Sequence, residues 1–227
     1  MCECYYPHPN NSDSPVGEIL FITWPSQGFL QYRQGEKEDV STMGNLLAVF
    51  MLKLYNYLRD TNNPLFENGW KPRIVFHAQS MGNMILLTAT ERINDLVRAN
   101  MIKKDILNNL FYRIIMTGAD VDRDALNDVP DENGEEIHQL AERVVLFYNK
   151  HDFALWISRF IFSSGRRLGR HLDEDTMKLL PKNIDLIEMH GYDNTLVSHN
   201  YFTDNPIVVK LLKTILHNGL HENIAEL

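Results

Sequence analysis

"VFHAQSMGNMILL", Val75 to Leu87, sets a serine at a junction. Ahead of Ser80 lies "PRIVFHA" (72–78), a short apolar run of strand character. After it comes "GNMILLTATERINDLV" (82–97), whose apolar residues recur at helical spacing. A serine at a strand-to-helix turn is either an ordinary turn residue or a hydroxyl lifted clear of the backbone. Lifting it requires small residues on both sides, because strand and helix crowd one another, and Ala78 and Gly82 are those residues. A small-x-Ser-x-Gly turn alone is common by chance, so the rest of the chain has to decide between the readings.

Outward from this junction, apolar runs alternate with amphipathic ones. "GEILFITW" (17–24), stopped by Pro25, reads as a buried strand. Met43, Leu46, Leu47, Phe50, Leu54 and Leu58 predict a helix over about 41–58. "FYRIIMTG" (111–118), "RVVLFYN" (143–149) and the weaker "IDLIEMH" (184–190) predict three further strands. Asp204 or Asn205 caps a last helix with Pro206 in its first turn, running to about His217. Most of these strands are apolar throughout, which is the pattern of a parallel sheet covered on both faces, an α/β fold. Residues 1–16, rich in Pro, Asn, Ser and Asp, read as a flexible tail. Residues 17–227 read as one domain, with 153–182 too long for a simple crossover and suited to a small cap.

Bulk properties exclude several classes. At 227 residues, 44% hydrophobic and 23% charged, the chain is long and apolar enough for a substantial core. A formal net charge of −8 argues against nucleic acid or an anionic membrane as the main partner. No apolar run approaches the roughly 20 residues of a membrane-spanning helix, and the N-terminus lacks a signal-peptide pattern. Cys2 and Cys4 lie too close for an easy disulfide, so a reducing, cytoplasmic setting is expected. With His8 they lack zinc spacing. "DVDRDALNDVPD" (120–131) imitates a calcium loop but has Ala125 where the sharp turn needs glycine. No Gly-rich phosphate loop is present, and neither metal nor cofactor is expected.

If Ser80 is a nucleophile it needs a base, and the base needs a carboxylate to orient it. On a sheet of this kind the expected chain order is serine, acid, histidine, each following a strand's carboxyl end. Asp152, in "NKHDFAL", and His199, in "VSHNYF", satisfy both conditions. Asp120 and Asp122, in "GADVD", also follow a strand, and Asp120 is the alternative acid. His77 lies inside the serine's own strand and reads as a packing residue; His190 and His151 are weaker bases. The Met81 amide, at the positive end of the following helix, is the expected donor to a developing oxyanion. Trp24, Ser26 and Gln79 are expected to line the substrate space. Trp70 and Trp156 read as packing residues, and Arg166, Arg167 and Arg170 as a solvated face with a lesser reading as anion holders.

Taken together, these blocks resemble the α/β-hydrolase family of unknown function found among bacterial "esterase/lipase superfamily" proteins. "FITWPSQG" is similar to its strand ending in Trp-Pro-Ser, and "FHAQSMGNMILL" to its Ala-His-Ser-Met-Gly-Asn elbow, with Gln79 in place of histidine. "GADVDRDAL" resembles its Ala-Pro-Asp-Val-Asp segment, with Gly118-Ala119 in place of Ala-Pro. "LFYNKHDFALWISR", "RRLGR" and "SHNYF" resemble its acid, Arg-Leu-Gly and histidine segments. The resemblance implies a three-layer α/β-hydrolase fold and a serine hydrolase of the carboxylic-ester type. It assigns Ser80 as nucleophile, Asp152 as acid and His199 as base, and a small acyl ester as substrate.

One departure bears on activity. Family members carry an earlier strand ending in His-Gly, which lies between the Trp-Pro-Ser strand and the nucleophile strand and supplies a second oxyanion amide. This chain begins too late to contain it, so an N-terminally reduced sheet is expected, with an exposed edge open to homo-oligomer formation. Losing one oxyanion donor costs about 2.7–4 kcal/mol of transition-state stabilisation. The alternative expectation is therefore a catalytically impaired module that binds a ligand or protein partner.

Overall fold

The computed structural model describes residues 20–23, 35–60, 73–108, 110–127, 137–161, 165–189, 199, 202 and 205–217. Along the chain these form α1 (Gly35–Arg59), β1 (Val75–Gln79), α2 (Gly82–Arg98), β2 (Phe111–Thr117) and β3 (Ala141–Tyr148). There follow α3 (Phe153–Ile161), α4 (Glu174–Lys178), β4 (Ile184–Glu188) and α5 (Pro206–His217). Short 3-10 turns at Lys104–Leu107 and Ile137–Leu140 lead into β2 and β3.

Among the described residues the sheet is a four-stranded ladder in the order β1-β2-β3-β4, and every neighbouring pair is parallel. Its register aligns Ala78 with Met116, Met116 with Leu146, and Leu146 with Leu186. Alternate side chains on a strand face opposite ways, and here both sets are buried. Ile114, Met116, Val144 and Leu146 join the core shared with α1 and α2. Ile115, Val145 and Phe147 join a second core with Val208, Leu212 and Ile215 of α5. Two buried faces explain why β2 and β3 are apolar throughout, and each such side chain contributes about 1.5–3 kcal/mol. Helix, sheet, helix is thus a three-layer α/β sandwich.

The helix ends follow local chemistry. Asn205 caps α5, its side-chain oxygen accepting from the Ile207 amide at 2.9 Å, and Pro206 occupies the first turn, where its missing N–H costs no bond. Helix α1 starts at Gly35, earlier than the apolar spacing predicts, because its first turns, "GEKEDVST", carry charge and not an apolar stripe. α1 meets α2 closely at Gly44, where an added Cβ would lie 2.5 Å from Thr88 Cγ2.

The strand expected over 17–24 is not formed in its described part. Leu20 to Thr23 belong to no strand, and Leu20 and Phe21 are 69% and 65% exposed. Strand preference has force only against a neighbouring strand. Among the described residues "LFIT" pairs with neither edge strand of the sheet, β1 nor β4, and so gains no ladder bonds. The expected tail 1–16, Trp24, Ser26, Trp70 and His190 lie outside the described residues.

Within 153–182, the stretch 165–173 is laced to the carboxyl end of the sheet. Gly169 N–H donates to Ala119 O at 2.9 Å, the Asn149 amide donates to Gly169 O at 2.9 Å, and Leu168 N–H donates to Val121 O at 3.0 Å. The approach is so close that a Cβ on Gly169 would stand 2.2 Å from the Ala119 nitrogen.

Candidate active site

The carboxyl ends of β1, β2 and β3 converge on Ser80. Its φ is +52°, in the left-handed region that side chains other than glycine rarely adopt. Such strain persists only where the surroundings hold it. Here Ser80 N–H donates to Thr117 O at 2.9 Å. Its carbonyl accepts from the Asn83 amide at 3.1 Å, the Asp120 amide at 3.3 Å and the buried Asn83 side chain at 2.9 Å. The turn therefore ties β1, β2 and α2 together and leaves the hydroxyl pointing away from its own backbone bonds. Met81 follows as the N-cap of α2 and is buried.

Asp152 follows β3 and is fully buried. Its two carboxylate oxygens have separate partners. One accepts from the Leu155 amide at 2.9 Å in the first turn of α3. The other lies 2.7 Å from His199 Nδ1. His199 Nε2 lies 3.0 Å from Ser80 Oγ. A neutral imidazole protonated at Nδ1 suits both contacts, donating to the carboxylate and accepting from the hydroxyl. Such a chain can take a proton from the serine and stabilise the imidazolium that results.

Room for the imidazole comes from Gly118, at the end of β2, with φ +49°. A Cβ there would lie 2.9 Å from His199 Cε1 and 3.2 Å from Nδ1. Behind the acid, Arg170 Nε donates to the Asp152 backbone carbonyl at 3.1 Å. Sequence reasoning assigned no role to Gly118; the available signal was its glycine where the resembled pattern has alanine.

Asp120, the alternative acid, is engaged elsewhere. Ser158 Oγ donates to its two oxygens at 2.6 and 2.8 Å, and the Arg167 Nε lies 3.0 Å from one of them. Burial raises the Asp120 pKa, and the Arg167 charge and Ser158 hydroxyl offset part of that rise. Arg167 is thus no solvated residue: its side chain is 3% exposed and bridges Asp120 and Asp122. Asp124 pairs with Arg123, so three aspartates of the calcium-like loop face arginines.

His77 Nε2 lies 2.9 Å from Thr117 Oγ1, and Phe202 packs edge-on against the ring at 5.8 Å. The ring keeps accessible area, yet the surrounding protein disfavours its charged form and lowers its pKa to about 4. His151 is exposed, and its backbone amide donates to Asn149 Oδ1. Gln79 ends β1 with an exposed side chain. Trp156 lies at the surface of α3, 38% exposed, and packs between its neighbours, stacked on Phe153 at 5.3 Å and edge-on to Phe160 at 5.0 Å.

A parallel sheet between helix layers, with its functional groups gathered at the strand carboxyl ends, is the architecture of an alpha/beta hydrolase. The sequence agrees with the fold at the level of family. The chain belongs to the alpha/beta hydrolases of unknown function (DUF900), whose family model matches residues 10–216. That membership points to hydrolase activity without defining a substrate. No curated protein and no solved structure matches the chain.

Proposed function

We propose that the protein is a serine hydrolase that cleaves a carboxylic ester or related acyl bond of a small molecule. Ser80 Oγ attacks the acyl carbon while His199 Nε2 takes its proton. Asp152 holds the ring and stabilises the imidazolium. The carbonyl oxygen, now anionic, faces the amino end of α2, where the Met81 amide is the donor. His199 then gives the proton to the leaving oxygen as the ester bond breaks. A water molecule, deprotonated by His199, attacks the acyl-Ser80 and releases the carboxylic acid and the free serine.

The observation that carries this reading is the unbroken chain from Ser80 through His199 to Asp152, at 3.0 and 2.7 Å. Turnover of p-nitrophenyl acetate and butyrate by the parent and by Ser80→Ala tests it. Parent turnover that falls about 10⁴-fold or more in the variant is expected. Equal rates would end the reading.

A second reading is favoured by one observation: Gln79, exposed at the end of β1, stands where the resembled elbow carries histidine. In that reading the fold binds a ligand or protein partner without turning it over. A folded parent that hydrolyses none of a broad ester panel would favour it.

A further inference from the structure

Beside the Asp152 loop, to whose carbonyl Arg170 donates, α3 and the 165–171 stretch line a partly open cavity of about 210 Å³. That is many times the roughly 10–15 Å³ a single water needs. Its lining is Leu155, Arg159, Arg166, Arg167, Arg170 and His171. Four arginines and a histidine thus line it, and among the described residues no Asp or Glu does. In a chain of net charge −8 this is a local inversion of sign.

The charges are only partly compensated from outside. Arg167 is held by Asp120 and Asp122. Arg166 is 3.6 Å from Asp173, and its Nη1 stands 2.7 Å from His171 Nε2. Arg170 donates its Nε to a backbone carbonyl, that of Asp152. Arg159 lies over the Phe160 ring, 5.2 Å from its centroid. Among the described residues neither Arg159 nor Arg170 forms an ion pair with a carboxylate. Gathering like charges around a cavity is costly unless an anion occupies it. Burial, and after it the nearby Arg166, lower the His171 pKa, while Asp173 acts against them.

We propose that this cavity binds a phosphate-class oxyanion. Guanidinium groups offer paired N–H donors at the spacing of phosphate oxygens, and the volume admits a phosphate group with part of its ester. Beside the cavity, α3 presents Phe153, Trp156 and Phe160 at 47%, 38% and 55% exposure. An apolar aromatic edge next to an oxyanion site suits a phosphate carried on an amphiphile, so both a lipid headgroup and a free phosphate satisfy the chemistry. Binding here requires no turnover and stands apart from the hydrolase reading.

The test is calorimetric titration of the full chain with inorganic phosphate, at constant ionic strength with chloride as the control. Arg159→Gln/Arg166→Gln is the comparison, since both side chains are exposed and neither touches Asp152. Saturable one-site binding by the parent, weakened about tenfold or more in a double variant with an unchanged melting temperature, is the expected result. A second arm measures co-sedimentation with phosphatidylglycerol vesicles against phosphatidylcholine vesicles. Selective pelleting that inorganic phosphate competes away supports a headgroup as the source. Saturable phosphate binding without pelleting supports a soluble phosphate compound. Absence of phosphate binding by the folded parent, or binding equal in parent and double variant, overturns the proposal.

Discussion

Gly118→Ala is the perturbation that probes the geometry most finely. The new Cβ would stand 2.9 Å from His199 Cε1 and 3.2 Å from Nδ1. Carbon atoms in contact prefer about 3.5–4.0 Å, so the imidazole must recede by roughly 0.6–1 Å. The ring's bond to Ser80 Oγ starts at 3.0 Å. A recession of that size directed away from Ser80 takes it past the ~3.5 Å at which such a contact stops being a hydrogen bond, and one in another direction misaligns it. Misplacement on this scale costs about 10²-fold in rate. The backbone adds its own cost, because φ is +49° and a residue with a Cβ resists that region by about 1–2 kcal/mol. The assay pairs kcat/KM on a p-nitrophenyl ester with urea unfolding. The expected result is a loss of about 10²-fold, carried mainly by kcat, in a protein destabilised by about 1–2 kcal/mol yet folded. A variant within about threefold of the parent would refute the claim that Gly118 sets the position of the imidazole.

Other outcomes follow from the same contacts. Asp152→Asn keeps an oxygen for the Leu155 amide but loses the charge facing His199; ester turnover falls about 10⁴-fold with little change in urea midpoint, and a loss under about tenfold would count against Asp152 as the acid. Arg167→Ala leaves Asp120 buried without its guanidinium; unfolding free energy falls by about 3 kcal/mol, and an unchanged urea midpoint would contradict the structural role given to this pair. Asp173 accepts from the Thr176 amide and hydroxyl at the start of α4, and these bonds lower its pKa. A lowered folded pKa means a contribution present above the unfolded value of 3.8 and lost as pH falls through the folded one. In Asp173→Asn the melting temperature therefore falls less steeply with acid than in the parent, and identical acid limbs would refute the assignment.

What the sequence makes legible follows the range of the forces involved. β2 and β3 are buried on both faces, so their apolar runs identify them without further context. The α5 start is equally local, because Asn205 and Pro206 carry its cap chemistry. "LFIT" carries the same local signal but forms no strand, since a ladder depends on a neighbour that composition does not report. The choice between Asp120 and Asp152 is non-local in the same way. Both follow strand ends, and what separates them is Arg167 and Ser158 on one side and His199 on the other. Gly118 and Gly169 matter through contacts with residues far along the chain, His199 and Ala119, and neither glycine announces this in its own neighbourhood.

The most direct measurement is reaction of the purified chain with a fluorophosphonate probe, with the labelled peptide identified by mass spectrometry. The account predicts one adduct, on Ser80, absent from Ser80→Ala and formed far more slowly in His199→Ala and Asp152→Asn. A folded parent that stays unlabelled, or that carries its adduct on another residue, would contradict the claim that His199 and Asp152 activate Ser80.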